Sequence, residues 1–169
     1  SNIVVLVNLN NLTTDEKKYA ANMYNLILGG GSLETKLYQK LRVENSLCYN
    51  VGSMYQKYDG LIIITTSVDI NKSNLAVQLI KTCLKEMKTN ISDEELVNAK
   101  ALVKTSLNMT NDNIGRIVDN AYYQNISDLD ELDVRLDKFD KVSIRDVKKV
   151  AEKTSISTIY VLEGGSTNE

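Results

Sequence analysis

The two side chains best suited to chemistry in this sequence are Arg42 and Tyr49. Arg42 falls at the end of a predicted helix and Tyr49 at the start of the following strand, and only residues 43–46 link them. Such a short link brings both side chains to one edge of a sheet. A guanidinium and a phenol hydroxyl are donors suited to a peptide carbonyl or its oxyanion. The alternative is an arginine paired with a nearby acid and a tyrosine in the core.

Histidine is absent from the sequence. A Ser-His-Asp triad, a Cys-His pair and a zinc site with histidine ligands are therefore excluded for this chain. Cys48 and Cys83 are too few for a cysteine-rich metal site, and they fit two reduced, partly buried thiols better than one disulfide. We predict no metal ligand and no bound cofactor in this chain.

Three consecutive glycines, Gly29, Gly30 and Gly31, lie between two predicted helices. The amides at the start of the second helix could bind a phosphate. A nucleotide-binding loop, however, follows a strand and carries a lysine directly after its last glycine, whereas Lys36 lies inside the helix here. We interpret the glycines as a flexible turn with inexpensive positive φ angles.

Carboxylates cluster at residues 93–95 and along 128–137. Residues 93–95 lie in the first turn of a predicted helix, where the dipole favours negative charge. The second cluster alternates with leucines and lacks the ligand order of a calcium loop. Both clusters are therefore read as helix caps and solvated helix surface rather than as metal sites.

Composition indicates an ordinary globular protein. The chain has 169 residues, of which 43% are hydrophobic and 25% charged, and its formal net charge is −2. This balance argues against a surface for nucleic acid or anionic lipid. No apolar run approaches the roughly 20 residues of a membrane helix, and no targeting segment or linker is visible. We expect residues 1–169 to form a single cytoplasmic domain without nucleic acid or membrane partners.

Hydrophobic periodicity predicts strands and helices in a definite order. We predict strands at 2–8, 47–58, 61–68 and 156–162, with Asp59–Gly60 as a hairpin turn. The helices are expected to begin at Thr13, Ser32, Ser73, Ser92 and Ser143, with two more around 113–126 and 128–139. This order indicates an α+β fold in which one mainly antiparallel sheet is covered on one face by helices.

Three segments carry a family resemblance. Residues 28–32, 37–42 and 46–51 resemble the glycine-rich turn, the helix ending in Leu-Arg and the Gly-Leu-Ala-Tyr-Ser-like strand of the insulinase/pitrilysin zinc metallopeptidases. The seven-residue step from Arg42 to Tyr49 is that family's spacing. The match is to the family's C-terminal, non-catalytic half-domain, which is related to the processing peptidases.

Two later segments extend this resemblance over essentially the whole chain. Residues 91–96 look like the family's Thr-x-Glu-Glu-Leu helix start, and residues 142–147 look like its Val-Thr-x-Glu-Asp-Val segment. The sequence departs from the pattern at Ser46, where relatives have glycine, at Cys48, where they have alanine, and at Lys36, where they often have arginine.

The resemblance implies a specific division of labour. In this family an α/β sandwich is repeated in two homologous halves that close over an extended peptide. The zinc motif, His-x-x-Glu-His, lies in the other half, so zinc is expected on a missing or partner half. By the resemblance, Arg42 and Tyr49 face the zinc and hold the substrate backbone, and Gly29 to Gly31 match a region implicated in peptide binding or hinge-like adjustment.

Our leading hypothesis is therefore the peptide-binding half of a zinc metalloendopeptidase, inactive alone. Its expected partners are a peptide or unfolded polypeptide and a homologous zinc-bearing half. The rival hypothesis is a zinc-less scaffold or peptide receptor of the same fold. A third, nucleotide binding at Gly29 to Gly31, requires that phosphate shift the stability of the protein.

Overall fold

The central element is one antiparallel sheet of four strands. The computed structural model describes residues 1–111 and 129–163. Within them the strands are β1 (Asn2–Leu9), β2 (Cys48–Gln56), β3 (Leu61–Val68) and β4 (Thr154–Leu162), in the order β2-β3-β1-β4. Every neighbouring pair is antiparallel, so β2 and β4 form the two edges.

Six helices accompany the sheet in the described residues. They are α1 (Ala21–Leu28), α2 (Lys36–Tyr38), α3 (Ser73–Thr89), α4 (Asp93–Asn111), α5 (Leu132–Lys141) and α6 (Ile144–Glu152). A π-helical turn, Glu16–Ala20, runs into α1, a second one, Gln39–Val43, continues α2, and a 3-10 turn, Ile70–Lys72, precedes α3. The helix predicted around 113–126 lies outside the described residues.

One face of the sheet is buried under the helices and the other is more open. On β1, Ile3, Val5 and Val7 are almost fully buried, and the residues between them are only partly covered. On β3, Ile62 and Ile64 are buried beside them, but Ile63 points to the opposite face and is partly exposed. The prediction of an α+β fold with a sheet covered on one face is confirmed.

Capping boxes fix the starts of three helical segments. In each, a hydroxyl accepts from the backbone N–H three residues on, and a carboxylate accepts from the backbone N–H of the capping residue. The first joins Thr13 and Glu16 at 2.8 and 3.2 Å. The others are Ser92 with Glu95 and Ser143 with Asp146. All three helix starts were predicted from the sequence.

The predicted start of α2 at Ser32 is wrong. Thr35 caps this helix, since its hydroxyl accepts from the Tyr38 N–H, whereas the Ser32 hydroxyl accepts from the N–H of Glu34 in the preceding turn. The four-residue spacing of Leu33, Leu37 and Leu41 predicts one apolar face on a helix that begins at Ser32. Leu33 instead precedes the helix and is exposed, whereas Leu37 and Leu41 are fully buried.

A polar cluster ties the segment before α5 to the π-helical turn before α1. The carboxylate of Asp130 accepts hydrogen bonds from the hydroxyl of Tyr19 and, at 3.3 Å, from Lys18 Nζ, and Lys138 Nζ lies 3.7 Å away. The Tyr19 ring packs edge-on against Phe139 with centroids 4.9 Å apart. The Tyr19 hydrogen bond, supported by the lysines, lowers the pKa of Asp130.

This cluster predicts a pH-dependent contribution to stability. Asp130→Asn should lower the free energy of unfolding by about 1.5 kcal/mol at neutral pH, since it removes charge-assisted hydrogen bonds. Because the folded-state pKa is lowered, the contribution is present above the unfolded-state pKa and is lost as the pH falls through the folded-state value.

Denaturant unfolding of the wild type and of Asp130→Asn, at neutral pH and at about pH 3, measures the difference in their free energies of unfolding. The exposed Asp133→Asn is the matched control and should change little at either pH. If Asp130→Asn lowers the free energy of unfolding by as much in acid as at neutral pH, the result would contradict the role of the charged carboxylate.

Candidate functional site

The structure brings Arg42 and Tyr49 into contact at the β2 edge of the sheet. Arg42 lies in the π-helical turn Gln39–Val43, and Tyr49 is the second residue of β2. The chain reverses between them through Ser46, whose φ of 49° is in the left-handed region that favours glycine. The Arg42 guanidinium carbon lies 4.8 Å from the centroid of the Tyr49 ring, a cation–π distance. The predicted meeting of these side chains at a sheet edge is confirmed.

The contacts that hold Arg42 in place do not neutralise its charge. Its Nη1 donates to the carbonyl oxygen of Cys48 at 2.8 Å, and the described residues place no carboxylate in an ion pair with it. A guanidinium has five N–H donors, so donors remain for an incoming acceptor. Tyr49 is 86% exposed. The alternative of an acid-paired arginine with a core tyrosine is therefore wrong, while the roles of both residues toward a peptide stay a prediction.

The glycine turn, Gly29–Gly31, ends α1 and contacts the edge of β2. The carbonyl of Asn25 accepts from the N–H groups of Gly29 and Gly30, at 2.9 and 2.8 Å. Gly31 has a φ of 100°, as expected for a glycine in a turn between two helices. The carbonyl of Gly29 accepts from the Ser53 N–H at 3.0 Å, so the turn occupies part of the outer edge of β2.

The packing around Gly29 leaves no room for a side chain. A Cβ there would lie 2.7 Å from Leu37 Cδ1 and 2.9 Å from the backbone nitrogen of Ser53. The Ser53 hydroxyl in turn donates to Asn25 Oδ1 at 2.8 Å and so satisfies the side-chain oxygen of this buried asparagine. Asn25 and Ser53 thus fix the glycine turn against the strand, and sequence analysis missed both. The only available signal was one asparagine on the apolar face of α1.

Neither cysteine has the features of a reactive group. Cys48 and Cys83 are both free and buried. Burial raises the pKa of the Cys83 thiol to about 12, so its thiolate is scarce at neutral pH. These facts agree with the predicted pair of reduced thiols.

The chain offers no fit for zinc where the structure describes it. Across residues 1–111 and 129–163, no three His, Cys, Asp or Glu side chains lie close enough to hold a metal ion. Of the carboxylates at the start of α4, Glu95 pairs with Lys36 Nζ at 2.8 Å and caps Ser92. Glu95 therefore acts in helix capping, as predicted, and also forms an ion pair.

None of the described helices combines the length and apolar character required to cross a membrane.

The close packing at the glycine turn predicts a difference between two alanine substitutions. Gly29→Ala should lower the free energy of unfolding by about 2 to 3 kcal/mol, because its Cβ meets backbone atoms of β2. Gly31→Ala meets no atom within 4 Å and should cost only about 1 kcal/mol, through its positive φ. Denaturant unfolding of both variants measures the difference. A larger loss for Gly31→Ala would contradict the described packing.

Comparison with known sequences finds zinc protease relatives. The chain is 25% identical to the "Probable inactive metalloprotease YmfF" of Bacillus subtilis over 153 residues, covering 89% of this chain and 36% of that protein. It is 29% identical over 101 residues to an "Uncharacterized zinc protease" of Rickettsia felis, covering 59% of this chain and 24% of the relative. The chain thus spans well under half the length of these relatives.

Solved structures share the fold. A conserved protein from Enterococcus faecalis superposes with a TM-score of 0.91 at 23% identity, over 99% of this chain and 40% of that one. A peptidase M16 inactive domain from Pseudomonas fluorescens superposes with a TM-score of 0.76 at 20% identity, over 92% of this chain and 40% of that one. At these identities the likeness concerns the fold.

The family follows from the sequence match. Residues 1–103, more than half of the chain, match the Peptidase M16 inactive domain. This match spans the glycine turn, Arg42, Tyr49 and the start of α4. The resemblance inferred from those segments is therefore confirmed, and the chain belongs to the family of peptidase M16 inactive domains.

Proposed function

We propose that this chain is the non-catalytic, peptide-binding half of a zinc-dependent metalloendopeptidase. In this proposal it closes a chamber opposite a homologous zinc-bearing half and orients extended peptides there. The observation that carries the proposal is the pair formed by the partly buried Arg42 and the exposed Tyr49. Family membership supports the non-catalytic character of the chain.

The geometry of the pair suits the binding of a peptide carbonyl. Ordering a free arginine side chain costs roughly 1.5 to 2 kcal/mol of conformational entropy. Arg42 has already lost much of this freedom, because it donates to the Cys48 carbonyl and stacks on the Tyr49 ring. A peptide that accepts a hydrogen bond from it therefore meets a donor already in position.

The same donors would favour the transition state over the bound substrate. Peptide hydrolysis converts a neutral carbonyl oxygen into an oxyanion, and a positively charged donor binds the oxyanion more strongly. Arg42 provides the charge and the Tyr49 hydroxyl provides a second donor. Neither group transfers a proton in this proposal, so the chain contributes orientation and electrostatic stabilisation only.

Zinc, in this proposal, belongs to the homologous half. This sequence has no histidine, and the described carboxylates form no metal-binding cluster. Zinc proteases among the relatives support a zinc-bearing half elsewhere. The substrate enters between the halves as an extended peptide or unfolded polypeptide.

A second candidate is a zinc-less scaffold or peptide receptor of the same fold. The observation that favours it is the relative from Bacillus subtilis that carries the name of a probable inactive metalloprotease. In that case Arg42 and Tyr49 would bind peptide without hydrolysis.

Substitution of the pair tests the proposal in the assembled enzyme. With the zinc-bearing half present, Arg42→Ala should lower kcat/KM for a fluorogenic peptide by about 100-fold, the effect typical of losing an oxyanion donor. Tyr49→Phe removes one hydroxyl and should lower it by about tenfold. Near-normal turnover in both variants would refute the site assignment.

Two controls separate this effect from misfolding. Tyr58→Phe alters another exposed tyrosine, near the hairpin turn, and should leave turnover unchanged. The free energy of unfolding of each variant should stay close to that of the wild type. One combined result would favour the second candidate function. If no mixture with a zinc-bearing half hydrolyses peptide, but Arg42→Ala weakens peptide binding, the chain is a scaffold or peptide receptor and not half of a protease.

A further inference from the structure

The outer edge of β4 carries few of the features that protect an edge strand; the one present is a register shift in its pairing with β1, between Ile156 and Thr158. One side of β4 pairs with β1, and no other strand in the described residues pairs with its second side. Its nine residues, Thr154–Leu162, include no charged residue and no proline, the residue types that commonly discourage pairing at sheet edges. The opposite edge differs, because the glycine turn hydrogen-bonds to β2 at Ser53. A further strand can therefore be added at β4.

A groove beside this edge, which we call the lysine groove, lies between β4 and α3. The residues that line it are Val7, Lys81, Leu84, Lys85, Lys88, Thr154 and Ile156. The apolar side chains form its floor and the lysines its rim. The lysine spacing of four and then three residues places all three on one face of α3.

The three lysines carry positive charge that no acidic side chain of the described residues balances. Lys81, Lys85 and Lys88 are exposed, and no ion pair forms at any of them within the part of the chain that the structure describes. By contrast Glu86, on another face of α3, pairs with Lys40 of the π-helical turn Gln39–Val43 at 3.3 Å. The chain as a whole has a net charge of −2, so this local excess is not a general property of its surface.

The face of the sheet opposite the helices is apolar beside β4. Tyr160 and Leu162 pair with Val4 and Asn2 of β1, which point away from the helices, and both are about half exposed. Alternate side chains of a strand point to opposite faces. An added strand would thus present one set of side chains to the lysine groove and the other set beside Tyr160 and Leu162.

We propose that the outer edge of β4 binds an extended segment of a partner protein in which acidic and apolar residues alternate. The segment adds a fifth strand to the sheet, its carboxylates lie over Lys81, Lys85 and Lys88, and its apolar side chains cover Tyr160 and Leu162. Backbone hydrogen bonds to β4 supply affinity, and the charges supply specificity.

Charge favours this occupant over a second copy of the chain. Pairing two β4 edges about a two-fold axis would bring two lysine grooves, and six ammonium groups, onto one face of a joined sheet. Like charges at such an interface oppose association. An acidic segment neutralises the same groups.

This site lies at the opposite edge of the sheet from Arg42 and Tyr49. The sheet order places β2, which carries Tyr49, and β4 as its two outer strands. Binding at β4 is therefore independent of the peptide site proposed above, and each can fail without the other.

The first experiment measures the binding of a fluorescent peptide of about ten residues with alternating Glu and Val, long enough to span a strand. A peptide with Lys in place of Glu and a Glu/Val peptide of block order are the comparators. Only the alternating acidic peptide should bind, and its affinity should fall as salt rises. Equal binding of the lysine peptide, or no binding at all, would overturn the proposal.

Substitutions locate the site. Combined Lys81→Gln, Lys85→Gln and Lys88→Gln should raise the Kd for the acidic peptide by about tenfold, the sum of three exposed ion pairs. Combined Lys17→Gln, Lys104→Gln and Lys149→Gln makes the same charge change elsewhere and should have little effect. Arg42→Ala should bind like the wild type. If Arg42→Ala abolishes binding, or if the triple variant at Lys81, Lys85 and Lys88 binds as tightly as the wild type, the peptide does not bind at β4.

Two further readouts test the strand itself. Hydrogen exchange of the backbone amides in 154–162 should slow when the peptide binds. Light scattering should find the free chain monomeric. Self-association that protects the same amides would instead identify a second copy of the chain as the occupant and overturn the proposal.

Discussion

The hydrogen bond between the Ser53 N–H and the Gly29 carbonyl, 3.0 Å long, is the contact on which the site depends. It joins the end of α1 to the edge of β2 at a position where no Cβ fits. Since α2 starts a few residues after Gly29, this contact also sets where α2 lies relative to β2. A looser turn would leave α2 less firmly placed against β2.

Pairing of the strands then fixes the second half of the site. β2 pairs with β3 in one register from Gln56 back to Val51, and the register shifts between Val51 and Cys48. Tyr49 lies in this irregular end of the strand, next to the π-helical turn that carries Arg42. The left-handed Ser46 closes the connection between them. In the proposed function, this arrangement provides fixed donors for a substrate backbone and its oxyanion.

Local patterns in the sequence were sufficient for the framework. Capping boxes marked three helix starts, and alternation marked the hairpin, because these signals depend on residues close in sequence. The choice between Ser32 and Thr35 as a cap depends on how the glycine turn meets β2, which is a long-range contact.

The residues of the candidate site also divide into those that local sequence spacing predicts and those that depend on long-range contacts. The seven-residue step between Arg42 and Tyr49 implied that they meet, and they do, whereas Asn25 and Ser53 act through contacts across 28 residues. The lysines of α3 look like an ordinary solvated helix face in sequence. Their position beside the unprotected edge of β4 depends on the packing of α3 against the sheet.

The most direct test of the central claim is a peptidase assay on mixed fluorogenic peptides. The chain is assayed alone, with any homologous half that precedes it in its own protein, and with any separate subunit that carries His-x-x-Glu-His. We predict that hydrolysis occurs only in a mixture and stops when a chelator is added. Hydrolysis by the chain alone, or silence in every mixture, would contradict the assignment as half of a zinc peptidase.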